Sequence, residues 1–566
     1  MNKLLFFLCF YLFLNQTVLS QGKTIALADY LPETNLGHIR IKNLNDIRTL
    51  VERYPEKKIL YNDINFKLLK KLMGFADDNT SSGGVESEEI KKLSKENDEL
   101  LFSSLIGEVL LGIDFDISGD SNTSLFEMMR IKGLAIIDPV LYKNAYEKNL
   151  IFNEKKSNKS IIQKFQILGI DCFSETNSIK NTTHFYGAVG NILVMSFNER
   201  EFKVTIEGII NKKPLDKSLA NNSKSKVVLT KNINKLFSIY IDYGRVIAAS
   251  GGLPPLYQAL KLETIAFALS FDSNEKVEQL DLSILNDESG LFKFFCFGEN
   301  EFMVSDLVPN GVSNYWQINF LLLELRKKIL ETGEQLYPGV GRQYDAITEA
   351  YKKNYNIDLQ SLINSIGNIS EGFAIHKKDN EIHNIVLNRL ANSDDFKTNF
   401  TNGVNNSAVH GLFSNFLNFK PVNHEKEQLW EVTAMQVSDA PKPFALLLKN
   451  EYLMIVRPFD EHSNYIQKFP FQSEAKLNNS IEFSEHKSFY PKKLGFYYYS
   501  KNRDLVKEML EMIKRSNSID TKDSEISQLL KQISLEKYPG FLSFGVWREP
   551  SELRASVRLT LKDAAK

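Results

Sequence analysis

The sequence predicts an α+β fold of two pseudo-repeated halves, each a mainly antiparallel sheet flanked by helices. Two observations carry this. Neighbouring strand-like runs are joined by turns too short to hold a crossover helix, so they must run antiparallel. Five segments of the first half also recur in the second in the same order, at offsets of roughly 260 to 280 residues. That is long-range self-similarity, not a short solenoid period.

Residues 37–42 (GHIRIK) alternate as a strand, and Asn43 or Asn45 caps a helix whose Ile47, Leu50 and Val51 share one face. A second helix is expected over 64–75, and the polar run 77–87, with its paired glycines, is a loop. A strand follows at 108–115, and helices are expected around 139–146 and 160–168. Residues 184–188 and 192–197 are the arms of a hairpin turning at Val189-Gly190-Asn191. Further strands are expected at 236–242, 263–271 and 277–285.

The second half repeats this outline. Leu31-Pro32-Glu33 is matched by Val308-Pro309-Asn310, and Leu105-Ile106-Gly107-Glu108 by Ser365-Ile366-Gly367-Asn368. The hairpin FYGAVGNILVMSF (185–197) has a double in FALLLKNEYLMIV (444–456), and LFSIY (236–240) answers to LGFYY (494–498). The segment 265–285 matches 541–561, each two alternating strands around a polar turn. The boundary falls between Glu299 and Leu307, giving an N-terminal repeat over 29–300 and a C-terminal repeat over 306–566.

Residues 1–20 have the order of a cleavable signal peptide. Lys3 supplies the positive start, residues 4–14 are continuously apolar, and Val18-Leu19-Ser20 ends on a small residue. The apolar core is shorter than the about 20 residues a permanent span needs. The expected mature chain starts at Gln21 and is periplasmic or extracellular. Cleavage removes one Lys and no acid, leaving 68 basic against 70 acidic side chains. That balance argues against a nucleic-acid partner or a polybasic membrane-surface role, each of which needs a concentrated basic face. Cys172 and Cys296 remain, to pair or to stay as thiols.

The Leu31-Pro32 turn into a strand, the Ile106-Gly107-Glu108 step and the aromatic hairpin 185–197, with their echoes, resemble a class of uncharacterised exported bacterial proteins known as domains of unknown function. The resemblance spans most of the mature chain. It implies a cell-envelope or secreted setting and no catalytic residues.

The strongest local constellation is DFDISGDSN (114–122), where Asp114, Asp116 and Asp120 surround a Gly turn as weak candidate ligands of a hard cation. Leu125 stands where a calcium loop carries its bidentate Glu, and these are also ordinary turn residues. His376 and His383 flank a turn without an evident third ligand, and His424-Glu425 lacks the second His of a metalloprotease helix. Ser250-Gly251-Gly252 lacks the Gly before the Ser of a nucleophile elbow, and Gly339-Val340-Gly341-Arg342 reads as a helix start. Tyr497-Tyr498-Tyr499 and Phe294-Phe295 suit a sheet core, and the sequons at Asn158, Asn181 and Asn399 decide nothing.

The expectation is an exported, non-catalytic protein that binds an envelope macromolecule or serves a structural role, with no cofactor implied. The alternatives are a carrier of an apolar ligand or lipid, and a hydrolase with a dispersed active site.

Overall fold

The computed structural model describes residues 27–32, 36–43, 46, 49, 100, 103–115, 129–155, 160–177, 182–245, 254–274, 277–376, 382–405, 417–424, 427–434, 443–449, 451–458, 475–501 and 540–561. The expectations for the leader, for the helix over 64–75 and the loop over 77–87, and for Ser250-Gly251-Gly252 lie outside the described residues, as does nearly all of the helix following Asn43. Twenty strands and flanking helices make an α+β fold, and every strand pairing among the described residues is antiparallel. The chain divides into two compact units, Met1–Ile241 and Asp242–Lys566.

The first unit contains β1 (Gly37–Ile41), β2 (Leu105–Phe115), β3 (Met129–Ile137), β4 (Ser160–Ile167), β5 (Ile170–Asn177), β6 (Thr182–Val189), β7 (Ile192–Ser196) and β8 (Phe237–Ile241). Their pairings run β8-β1-β2-β3-β7-β6-β5-β4. Both faces are covered, so the central strands are apolar on both sides. Val109, Leu111 and Ile113 of β2 join one core with Tyr142, Ala145 and Tyr146 of α1 (Pro139–Lys155). Leu110 points the other way, into a core with Phe202, Ile206 and Ile209 of α2 (Glu199–Ile210). That is the period-2 alternation of a strand. Helix α2 starts on Asn198, whose side chain accepts from the Glu201 amide at 3.1 Å, and α3 (Ser223–Lys231) is capped the same way by Asn222.

The helix expected over 160–168 is instead β4. Leu168 and Gly169 both have positive φ, +48° and +82°, the backbone of a two-residue hairpin turn that folds β4 against β5. Phe165 and Ile167 read equally well as part of a helical face or an alternating strand, and the turn chemistry decides.

The second unit contains β9 (Ala266–Ser273), β10 (Val277–Leu285), β11 (Asn314–Asn319), β12 (Ile366–His376), β13 (Ile382–Leu390), β14 (Leu417–His424), β15 (Glu427–Ala434), β16 (Phe444–Lys449), β17 (Tyr452–Arg457), β18 (Phe496–Lys501), β19 (Gly540–Glu549) and β20 (Glu552–Leu561). The order is β9-β10-β20-β19-β18-β11-β12-β13-β17-β16-β15-β14. Its helices are α4 (Pro255–Ala259), α5 (Leu322–Leu336), α6 (Val340–Tyr355), α7 (Leu359–Ser365), α8 (Ser393–Asn405) and α9 (Ile481–Lys487). Pro421 interrupts the donor pattern of β14, as an edge strand tolerates.

The run β18-β11-β12-β13-β17-β16-β15-β14 has the same order as β8-β1-β2-β3-β7-β6-β5-β4. Details recur too. Pro32 bridges Ser218 and Pro309 bridges Lys476, and each turn receives a backbone hydrogen bond, Leu219 N to Leu31 O at 2.7 Å and Leu477 N to Val308 O at 3.0 Å. A bulge separates Leu105 from Val109 in β2 and Ile366 from Ser370 in β12. The turn pairs Val189–Ile192 and Lys449–Tyr452 place Val189 with Lys449, one residue off the match 185–197 to 444–456 read from sequence. The hairpin β9–β10 belongs to the second compact unit because β10 pairs along its length with β20. The sequence echoes instead place that hairpin at the end of the first repeat, so the two divisions differ over residues 242–300, the stretch that carries α4 and this hairpin.

Candidate functional site

A buried polar cluster of the second unit lies beneath α9. Ser480 caps this helix by accepting from the Phe483 amide at 3.3 Å. Phe483 is then buried among Tyr315, Tyr497 and Tyr499, and His486 falls on the same side one turn later. His486 Nδ1 lies 3.1 Å from Ser543 Oγ, and Nε2 lies 2.9 Å from Thr560 Oγ1. Thr560 donates its proton to the Phe541 carbonyl at 3.2 Å, so Nε2 carries the ring proton and Nδ1 accepts from Ser543. Tyr490 OH, 2.9 Å away, supplies the bond to Ser543 Oγ. The chain of donors runs Tyr490, Ser543, His486, Thr560, Phe541 carbonyl, and each group is satisfied.

Burial pushes His486 down to about 4, with Arg558 adding repulsion, so the ring is neutral at pH 7. The same burial raises Tyr490 to about 12. A serine that donates to a neutral imidazole is half of a hydrolytic nucleophile. The other half differs here. The group behind the imidazole is a threonine hydroxyl rather than a carboxylate, and Ser543 has 0% exposure. A substrate carbonyl has no approach to an Oγ so enclosed, and the cluster works as a pin joining α9 and Tyr490 to β19 and β20.

Glu371 of β12, 5% exposed, is another buried polar centre of the second unit. Its Oε1 accepts from the Ser305 amide at 3.0 Å, Gln317 Nε2 at 3.0 Å and Tyr315 OH at 3.3 Å. Burial raises this carboxyl to about 7 despite the three donors, and raises Tyr315 well above the ordinary phenol range. Gln317 also donates to the Met303 carbonyl at 2.9 Å, so the site fastens the 303–305 segment to the sheet.

In the first unit Arg40 is buried and donates to Glu108 at 2.7 Å. It also donates to the carbonyls of Asn232 and Ile233 at 3.1 and 3.2 Å, closing the C-terminal end of α3, where a cation is favoured. Next to it His38 stacks on Tyr240, and burial lowers it to about 3. Lys132 pairs with Glu201 at 2.5 Å beside a pocket of about 10 Å³, room for a single water.

The sequence candidates fall elsewhere. Asp114, next to last in β2, stands opposite Arg130 in the ladder, and Asp116 and Asp120 lie outside the described residues. Among the described residues no three His, Cys, Asp or Glu side chains converge on a metal position. His383 stands opposite Ile375 and His376 opposite Ile382, so the two positions lie on opposite faces of the ladder. His424 ends β14. Gly339, at φ +99°, starts α6, and Glu334 accepts from the Gly339 and Gly341 amides at 2.7 and 2.9 Å, filling the place a phosphate would take. Tyr497 and Tyr499 are core and Tyr498 is half-buried, the two-and-one split of a strand. Phe294 and Phe295 are both half-buried beside Phe292, at the end of a 3₁₀ turn. Asn399 is buried and accepts from the Asp358 amide at 2.7 Å, while Asn158 and Asn181 lie outside the described residues. Cys172 and Cys296 are both free thiols.

Sequence reasoning missed His486, Ser543 and Glu371. Their partners lie 57 and 54 residues away, beyond any local spacing rule. The available signal was a polar residue set beside apolar and aromatic neighbours in a strand, Ser543 in GFLSFGVWRE and Glu371 in IGNISEGFAIH.

No family model matches this chain, and no curated protein matches it. A solved structure, crystal form IV of TP0453, aligns over 46% of this chain and 79% of its own, at 12% identity and a TM-score of 0.25. A likeness that distant carries no argument here. Among the described residues no helix is long and apolar enough to cross a membrane, which says nothing of strands.

Proposed function

We propose that the chain is an exported, non-catalytic protein with a binding or structural role in the cell envelope or secreted fraction, built by duplication of one α+β unit. The observation that carries the non-catalytic reading is the closure of the Ser543–His486 pair. Among the described residues it is the arrangement nearest to a nucleophile and base, and Ser543 has no exposed surface. The export reading rests on the signal-peptide order of residues 1–20. The duplication reading is supported by the recurring order of eight strands, together with the matched proline bridges and bulges.

A carrier of an apolar ligand needs a cavity of several hundred Å³; among the described residues the pocket beside Lys132 offers about 10 Å³ and does not supply one. The test uses a fluorophosphonate probe on the purified protein, with intact mass of the exported form. The expected result is no labelling and a chain starting at Gln21. Labelling that disappears in Ser543→Ala would establish an accessible nucleophile and end the non-catalytic reading, and an intact Met1 on the exported form would end the signal-peptide reading.

A further inference from the structure

Helices α5 and α6 form an antiparallel hairpin turning at Tyr337-Pro338-Gly339. At about 100° per residue, Leu322, Leu325, Ile329 and Leu336 fall within one narrow stripe of α5. Val340, Tyr344, Ile347 and Tyr351 do the same on α6. Arg326 lies over the Tyr344 ring at 4.6 Å, and Gly333 lets Val340 approach, so the stripes lie along the seam between the helices.

Helix α7 packs against both helices and α4 packs against α5, yet the seam is not closed. Thr332 is the one fully buried residue of α5, and α6 has none. Ile329 and Ile347 are 52% and 53% exposed although both belong to the apolar stripes. Following the helical phase across the antiparallel pair, these two isoleucines emerge on the same side of the hairpin. Tyr337 at the turn is 71% exposed. A lone exposed Leu or Ile is ordinary, but paired exposed residues on one side of an amphipathic hairpin form a face.

The charges select the occupant. From Leu322 to Tyr355 the hairpin carries six basic and five acidic side chains. Lys328 and Glu331 pair at 3.2 Å, Lys352 pairs with Asp358 at 3.1 Å, and Glu334 is held by the turn amides. An anionic lipid surface or a polyanion would meet nearly as many acids as bases here. A surface of interspersed signs is what a copy of itself satisfies across a two-fold axis, where each patch meets its complement.

We propose that this face is a self-association surface, on which the α5–α6 hairpins of two copies dock as a four-helix bundle and close the Ile329 and Ile347 seam. Bundles of this kind arise because an amphipathic hairpin needs a second layer to bury its stripe. Helices of 15 and 16 residues are about 23 Å long, and two side by side present roughly 450 Å² per copy. The roughly 900 Å² total falls below the about 1,200–2,000 Å² of a standard stable interface, so a weak dimer is expected, with a Kd on the order of 10 μM.

The test is sedimentation velocity of the protein, purified as its host processes it, from about 1 to about 200 μM. Wild type is expected to pass from monomer to dimer over that range. Ile329→Glu/Ile347→Glu is expected to stay monomeric with unchanged far-UV circular dichroism and unfolding midpoint. Ile161→Glu, a control at an exposed position on β4, should dimerise like wild type. A wild type that stays monomeric throughout overturns the proposal, as does a double variant that still dimerises or a control that fails to. Flotation of a monomeric wild type with phosphatidylcholine or phosphatidylglycerol vesicles, lost in the double variant, would assign the face to a lipid surface and equally overturn it.

Discussion

Replacing Glu371 by Gln isolates one buried carboxyl and makes the pH dependence of stability its readout. The amide keeps an oxygen for Ser305, Tyr315 and Gln317 to donate to, so the packing around β12 is retained. In the folded protein the carboxyl titrates near 7, against 4.5 for the ordinary side chain. A raised folded value means that the native state holds the proton more tightly than the unfolded chain does. The contribution to stability is therefore complete below pH 4.5 and is lost as pH rises from 4.5 through 7. The full difference corresponds to about 3 kcal/mol. His486 acts in the opposite direction, since its lowered value makes stability fall as pH drops from 6.5 towards 4. It is common to both proteins and cancels in their difference. Urea unfolding of wild type and Glu371→Gln between about pH 4.5 and 8.5 should therefore show a gap that grows in favour of the variant. The growth should approach about 3 kcal/mol and level off above pH 8. A gap that does not change with pH would refute the reasoning, because it would mean that Glu371 stays ionised in the native state across that range.

Two further substitutions test the packing. Gly372 faces Trp316 across the β11–β12 ladder, and a Cβ there would stand within the indole, so Gly372→Ala should cost about 1–3 kcal/mol; an unchanged urea midpoint would show that the ring moves freely. Asn198→Ala removes the cap of α2 and should cost about 1 kcal/mol, visible in the unfolding of the first unit; hydrogen exchange of the Glu201 amide that does not accelerate would count against the cap.

The sheet was the legible part of this sequence. β10 over Val277–Leu285 follows from its alternation, because a strand exposed to two different environments carries period 2 in its own residues, and the β6–β7 hairpin follows from the Gly190-Asn191 turn between two apolar runs. The segment that became β4 was misread because four apolar residues in eight fit both periods, and its Leu168-Gly169 turn puts a bulky residue at positive φ, where an Asn or Gly would have announced the hairpin. The polar centres were not legible. A buried Ser or Glu differs from a solvated one only through groups brought to it by other strands.

The two halves show why that limit is physical. The bulges of β2 and β12 align Arg40 with Gln317 and His38 with Tyr315, positions on β1 and β11 that each lie between two paired strands. His38 faces Tyr240 as Tyr315 faces Tyr499, so the outer position keeps an aromatic partner in both halves. The inner position does not keep its chemistry. Arg40 is opposite Leu110 and turns instead to Glu108 and the end of α3, whereas Gln317 is opposite Glu371 and binds it directly. Matching ladder positions thus hold an ion pair in the first unit and a neutral donor beside a carboxyl of raised pKa in the second. A buried charge requires a partner, and a buried carboxyl without a cation beside it shifts towards its protonated form. The backbone sets the position, and the neighbouring strands decide which of these two solutions a residue in it must adopt.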